Sequence, residues 1–122
     1  MEQALTPVFR VSELNEYVAL LLGADENLND LKVSGEISGF KRHSSGHLYF
    51  SLKDENALVR CVMFRQQAMR LNFQPQDGMQ VILYGRASLY EKDGSFQLYA
   101  NYLKKSGEGE LYLRFLALKK EL

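Results

Sequence analysis

Hydrophobic and polar positions change period along the chain, and the changes mark its elements. Over residues 12–23, Leu14, Tyr17, Val18 and Leu21 recur at helical spacing. Ser12 suits the N-cap, because its hydroxyl can accept from an orphan backbone N–H, and Gly23 can end the helix. The polar run DENLND then reads as a connection. From Leu31 to Arg42 the pattern alternates. Leu31, Val33, Gly35, Ile37 and Gly39 take one side, and Lys32, Ser34, Glu36, Ser38, Phe40 and Arg42 the other. This predicts a long strand whose two glycines suit a bend or bulge at a barrel corner.

The alternation returns four more times. His43-Ser44-Ser45-Gly46 predicts a hairpin loop, followed by a strand from about His47 to Lys53 with Leu48, Phe50 and Leu52 on one face. Asp54-Glu55-Asn56 is a polar turn, and Leu58 to Phe64 a third strand. Arg60 needs water, so the phase turns Val59, Cys61 and Met63 inward and leaves Leu58, Val62 and Phe64 on the arginine side. Arg65 to Leu71 has helix formers without alternation, and Phe73 to Gly78 stops it, with Phe73 assigned to the core. Met79 to about Glu91 predicts a fourth strand. Asp93-Gly94 marks a tight turn, and Phe96 to Leu103 a fifth strand. Residues 108–122 predict a last helix with Leu111, Phe115, Leu118 and Leu122 on one stripe.

Five strands with a short helix between the third and fourth define a mainly β class, a five-stranded Greek-key OB-fold barrel with helices before and after it. An SH3-like barrel also has five strands but does not normally place a helix there. The expected division is an N-terminal extension and helix over 1–30, the barrel over 31–105, and a C-terminal connector helix over 106–122.

Composition narrows the function. At 122 residues the chain is one domain, and one of this size buries roughly two-thirds of its unfolded surface without a metal or disulfide. The single cysteine, Cys61, excludes an internal disulfide and fits a reducing compartment. The longest apolar stretch, Tyr17 to Ala24, is too short for a membrane span, and MEQALTPVFR lacks the features of a secretory signal, so the cytoplasm is expected. The net charge of zero hides an asymmetry. Residues 1–30 carry six acids and one base, whereas residues 31–105 carry eleven bases and six acids. A basic barrel is compatible with a polyanion whatever the total charge.

No catalytic set emerges, and no metal or cofactor is expected. His43 and His47 lie in a loop and a strand start, with a hydrogen-bonding role expected of His47. Asp54 and Glu55 are neighbouring turn acids, and the glycines form no nucleotide-binding motif. An aromatic and basic exterior remains: Phe40, Arg42, Tyr49, Lys53, Arg60 and Phe64, with Arg65 next along. Lys41 adds a cation, and strand four adds Tyr84, Arg86 and Tyr90. Rings beside cations suit single-stranded nucleic acid, whose bases stack and whose phosphates attract positive charge. The opposing reading packs Tyr84, Tyr90 and Tyr99 against the N-terminal helix and ends a core layer with Phe40. The residues assigned to binding are Phe64 and Arg65, then Tyr49, Arg60, Arg42, Lys41 and Phe40, then Arg86.

These segments also carry a likeness. GEISGFKRHSSGHLYFSLKDENALVRCVMFR (35–65) resembles the N-terminal domain of the large subunit of bacterial exodeoxyribonuclease VII. So do VSELNEYVALLL (11–22), GRASLYEKDGSFQLY (85–99) and GEGELYLRFLALKKEL (107–122). The resemblance implies an OB-fold that holds single-stranded DNA for a nuclease domain following it. It further implies a parent enzyme that degrades single-stranded DNA to oligonucleotides, does not strictly need a divalent metal, and pairs with copies of a small helical subunit. The family's catalytic segment has no positions here to map onto, so this chain is expected to be inactive alone. A protein-docking domain, an RNA-binding domain of anticodon-reader type and a homo-oligomer stay open.

Overall fold

The computed structural model describes residues 6–106. In order it comprises α1 (Val11–Ala24), α2 (Glu26–Asn29), β1 (Leu31–Arg42), β2 (Leu48–Lys53), β3 (Leu58–Met63), α3 (Arg65–Ala68), β4 (Gln80–Tyr90) and β5 (Ser95–Lys105). The five strands close into a barrel in the order β1-β2-β3-β5-β4. All pairings are antiparallel except β3 with β5, the parallel seam that closes the sheet. This is the expected OB-fold barrel. The predicted C-terminal helix and most of the expected 106–122 segment lie outside the described residues.

Strict alternation builds the core. In β2, Leu48, Phe50 and Leu52 are buried while Tyr49 and Lys53 are exposed. Ile37, Cys61, Met63, Val81, Leu83, Leu98 and Leu103 fill the same interior. Each fully buried large side chain contributes about 1.5–3 kcal/mol relative to exposure. Phe73 packs half-buried against this cluster. Among the described residues no polar or charged side chain is buried, and no helix is long and apolar enough to cross a membrane.

The helices differ in detail from the sequence reading. The N-cap of α1 is Arg10, not Ser12, and the Glu13 carboxylate accepts from the Arg10 N–H at 2.8 Å. The Glu13 carboxylate, at the third helical position, satisfies the Arg10 N–H and explains the earlier start. Part of the polar connection winds into α2, because Asp25 Oδ1 accepts from the N–H groups of Asn27 and Leu28. The helix expected over 65–71 is regular only to Ala68.

Two bulges shape the barrel. In β1 the register slips by one residue between Ser38 and Lys41, with Gly39 at φ +62°, a value that favours glycine. In β5 the slip lies opposite Tyr84 and Gly85. A side chain at Gly85 would collide with the Tyr99 carbonyl, so only a glycine permits this approach.

Candidate nucleic-acid interface

Cross-strand register lays out one outer face. Lys41 lies opposite Tyr49, Tyr49 opposite Val62, Val62 opposite Tyr99, and Tyr99 opposite Arg86. A single row thus crosses all five strands with a cation at each end and tyrosines within. Two residues further along, about 6.5–7 Å away, runs a polar row of Ser38, Ser51, Arg60, Gln97 and Ser88. Val62 was expected to be exposed with Arg60. Its side is right, but it is only 7% exposed, because Tyr49 and Tyr99 flank it on both neighbouring strands.

A groove of about 650 Å³ lies on this face. Lys41, Tyr49, Arg60, Phe64 and Tyr99 line it, and Tyr90 and Asp93 of the β4–β5 hairpin form one end. The Phe64 and Tyr99 rings stack with centroids 5.7 Å apart and planes 19° from parallel. On its other flank Tyr99 carries the Arg86 guanidinium, 4.8 Å from the ring centre. Such a contact contributes about 0.5–1 kcal/mol at an exposed site. The His47 ring meets Phe64 edge-on at 5.3 Å, and the His43 ring meets Tyr49 edge-on at 6.2 Å. Phe64 is 43% exposed and Tyr49 41%, so both offer ring surface to a ligand.

Sequence-predicted residues separate into three groups. Lys41, Tyr49, Arg60 and Phe64 converge on the groove, and Arg86 joins them through Tyr99. Arg65 lies beyond Phe64, lining a neighbouring depression. Phe40 and Arg42, expected beside Tyr49, leave this face. The extra residue of the β1 bulge inverts the alternation, so Lys41 takes the place beside Tyr49. Phe40 turns half-buried against the core with its ring 6.4 Å from Phe50. Arg42 donates from Nη2 to Gln74 Oε1 at 2.9 Å. Lys53 pairs with Glu36 at 3.7 Å, away from the groove.

Tyr99 is the residue that sequence reasoning assigned elsewhere. Inward-facing Leu98 and Ala100 show that it points out, but only the parallel seam with β3 reveals which outer face it shares. Tyr84, by contrast, packs at 5.9 Å from Tyr102, with Lys32 Nζ over its ring.

Two titratable groups at the groove have shifted acidities. Burial pushes the Cys61 thiol up to about 12, so it stays protonated. Hydrogen bonds from the Ser95 hydroxyl and N–H, with a smaller contribution from the Arg60 charge, hold the Asp93 carboxyl below the usual carboxylate range. His47 Nδ1 accepts from the Arg65 N–H at 2.9 Å, the hydrogen-bonding role expected of it. Among the described residues no cluster of three His, Cys, Asp or Glu is arranged to hold a metal.

Comparison with known proteins gives a consistent picture. A family model described as an OB-fold nucleic acid binding domain matches residues 9–104. The chain is 54% identical over 112 residues to the exodeoxyribonuclease 7 large subunit of Clostridium botulinum (strain Eklund 17B / Type B), covering 92% of this chain and 28% of that protein. It is 47% identical over 115 residues to that of Ruminiclostridium cellulolyticum, covering 94% and 28%. It therefore spans under a third of the curated relatives it matches. Among solved structures, a replication protein A heterotrimer bound to ssDNA aligns with a TM-score of 0.56 at 10% identity, over 78% of this chain and 73% of that one. The SSB domain of a Synechococcus protein aligns at 0.51 with 11% identity, over 66% and 98%. At such identities these structures share the fold.

Proposed function

The chain belongs to the family of OB-fold nucleic acid binding domains, and from that premise we propose that its groove holds single-stranded DNA with little regard to sequence. The row Lys41–Tyr49–Val62–Tyr99–Arg86 carries this reading. Rings present flat surface to bases of any identity, and the flanking cations meet phosphates. Arg86 sits over the Tyr99 ring with its guanidinium carbon 4.8 Å from the centre, and its N–H groups suit an anion. The work assigned to the domain is to deliver the strand to the nuclease segment of an exodeoxyribonuclease VII large subunit. That enzyme degrades single-stranded DNA to oligonucleotides in the cytoplasm.

Titration of a labelled single-stranded oligonucleotide by fluorescence anisotropy at several salt concentrations tests the reading. Three groove cations, Lys41, Arg60 and Arg86, give a slope of about −2 for log affinity against log salt. A flat titration removes the electrostatic half of the proposal. Preference for RNA of the same sequence redirects it to an RNA reader, since a 2′-OH contact then contributes.

Protein docking is a second reading, favoured by α1, where Val11 is 78% exposed and Leu20 66%. The large subunit's small partner is the proposed ligand of that face. Light scattering of the chain alone and with the small subunit separates docking from self-association.

A further inference from the structure

Phe64 is a wall shared by two depressions. Beyond it, His47, Arg65, Gln66, Gln67 and Met69 line a second hollow of about 640 Å³, close in size to the first. We propose that this hollow is a second subsite on the same track, taking the nucleotides of a bound single strand that pass over the Phe64 ring. The proposal rests on the reading of the first groove as a single-strand site.

Four observations converge on it. The hollow is contiguous with the groove through one aromatic ring, so a strand stacked on Phe64 reaches both. Among the described residues no carboxylate lines it, whereas Asp93 lines the first groove. Its cation is positioned: the Arg65 stem lies against Gly46, where an added Cβ would stand 3.0 Å from Cγ and 3.1 Å from Cδ. The Arg65 backbone N–H is also tied to His47. Finally, Met69 is 72% exposed beside two glutamine amides. A thioether packs on any base face, and an amide both donates to and accepts from base edges. The arrangement supplies one phosphate contact and one sequence-tolerant base contact beyond Phe64.

Thymidine oligomers of about four and about eight nucleotides, a range set by known OB site sizes, titrated at several salt concentrations, test this on the whole chain. The longer oligomer is expected to bind more tightly and with a steeper salt slope, about −3 against about −2, through the added Arg65 contact. In a Gln66→Ala/Met69→Ala variant, the longer oligomer is expected to lose about tenfold in affinity, while the shorter one binds as in the parent chain. Arg65→Ala is expected to bring the long-oligomer slope back to about −2. Both substituted side chains of the double variant sit on the surface, so its fold is kept. Unchanged long-oligomer affinity and slope in these variants overturns the second subsite and leaves the first groove standing. Failure of both oligomers to bind the parent chain overturns both readings.

Discussion

The groove face and the outer face of α1 are made of similar apolar material and differ in charge. Both expose large side chains: Tyr49, Phe64 and Tyr90 around the groove, and Phe9, Leu14, Tyr17 and Leu20 along α1 and its approach. Both even stack rings, with Phe9 on Tyr17 at 5.6 Å and Phe64 on Tyr99 at 5.7 Å. The groove, however, interleaves its rings with Lys41, Arg60 and Arg86, whereas the charged residues of α1 are Glu13 and Glu16. An aromatic surface attracts a polyanion when cations are set among the rings, and acids in the same place repel it. The backbones differ too. Gly85, paired beside Tyr99, fits nothing larger against the Tyr99 carbonyl, while Gly23 in α1 has no atom of the described residues within 4 Å of an added Cβ.

That contrast is broken most sharply at the glycines. Gly85→Ala is expected to cost about 3 kcal/mol of stability, since the new methyl meets the Tyr99 carbonyl, whereas Gly23→Ala is expected to gain about 0.5 kcal/mol. Thermal or urea unfolding monitored by circular dichroism measures both. Equal effects would show that β5 relaxes around Gly85.

Next come the rings. Phe64→Ala is expected to weaken single-strand binding by roughly 1–3 kcal/mol with little change in melting temperature, while Tyr17→Ala leaves affinity unchanged. A large stability loss with intact binding would assign Phe64 to packing instead. Third are the charges. Arg60→Ala or Lys41→Ala is expected to reduce the salt slope by about 0.7, and Glu16→Lys on α1 to leave it where it was. A steeper slope for the lysine variant would bring α1 onto the DNA path.

The smallest effect concerns acidity. Because folding depresses the Asp93 pKa, its contribution to stability is present above the unfolded carboxylate range and is lost as pH falls through the folded value. The Ser95 amide proton is therefore expected to shift during acid titration only below the usual carboxylate range. A shift within that range would mean the hairpin bond is absent in solution.

Much of this architecture is legible in the residues, and what is not has definite causes. The succession of elements along the chain and the inward set Leu48, Phe50, Leu52, Cys61 and Met63 follow from the changes of period, since one buried face forces a period of two. The phase of β1 does not. Gly39 hints at a bulge, but periodicity alone does not say that the chain inserts one residue there and exchanges Phe40 for Lys41 beside Tyr49. Tyr99 was obscure for another reason. Its outward direction is local, yet its partners come from β3, more than thirty residues earlier, through a parallel pairing that leaves no mark in either segment. Phe64 and Arg60 were found because a charged residue sets the phase of a strand wherever it cannot be buried.

The parallel seam has a consequence for how the molecule assembles. Tyr99 meets Phe64 only after β5 has been synthesised and docked, and pairing between segments distant along a chain slows folding. The proposed binding face is complete only with β5, and a nascent chain ending before it lacks the Gln97 and Tyr99 side of the groove. A strand lying across the closed seam would act as a clasp, raising the melting temperature with its concentration by mass action.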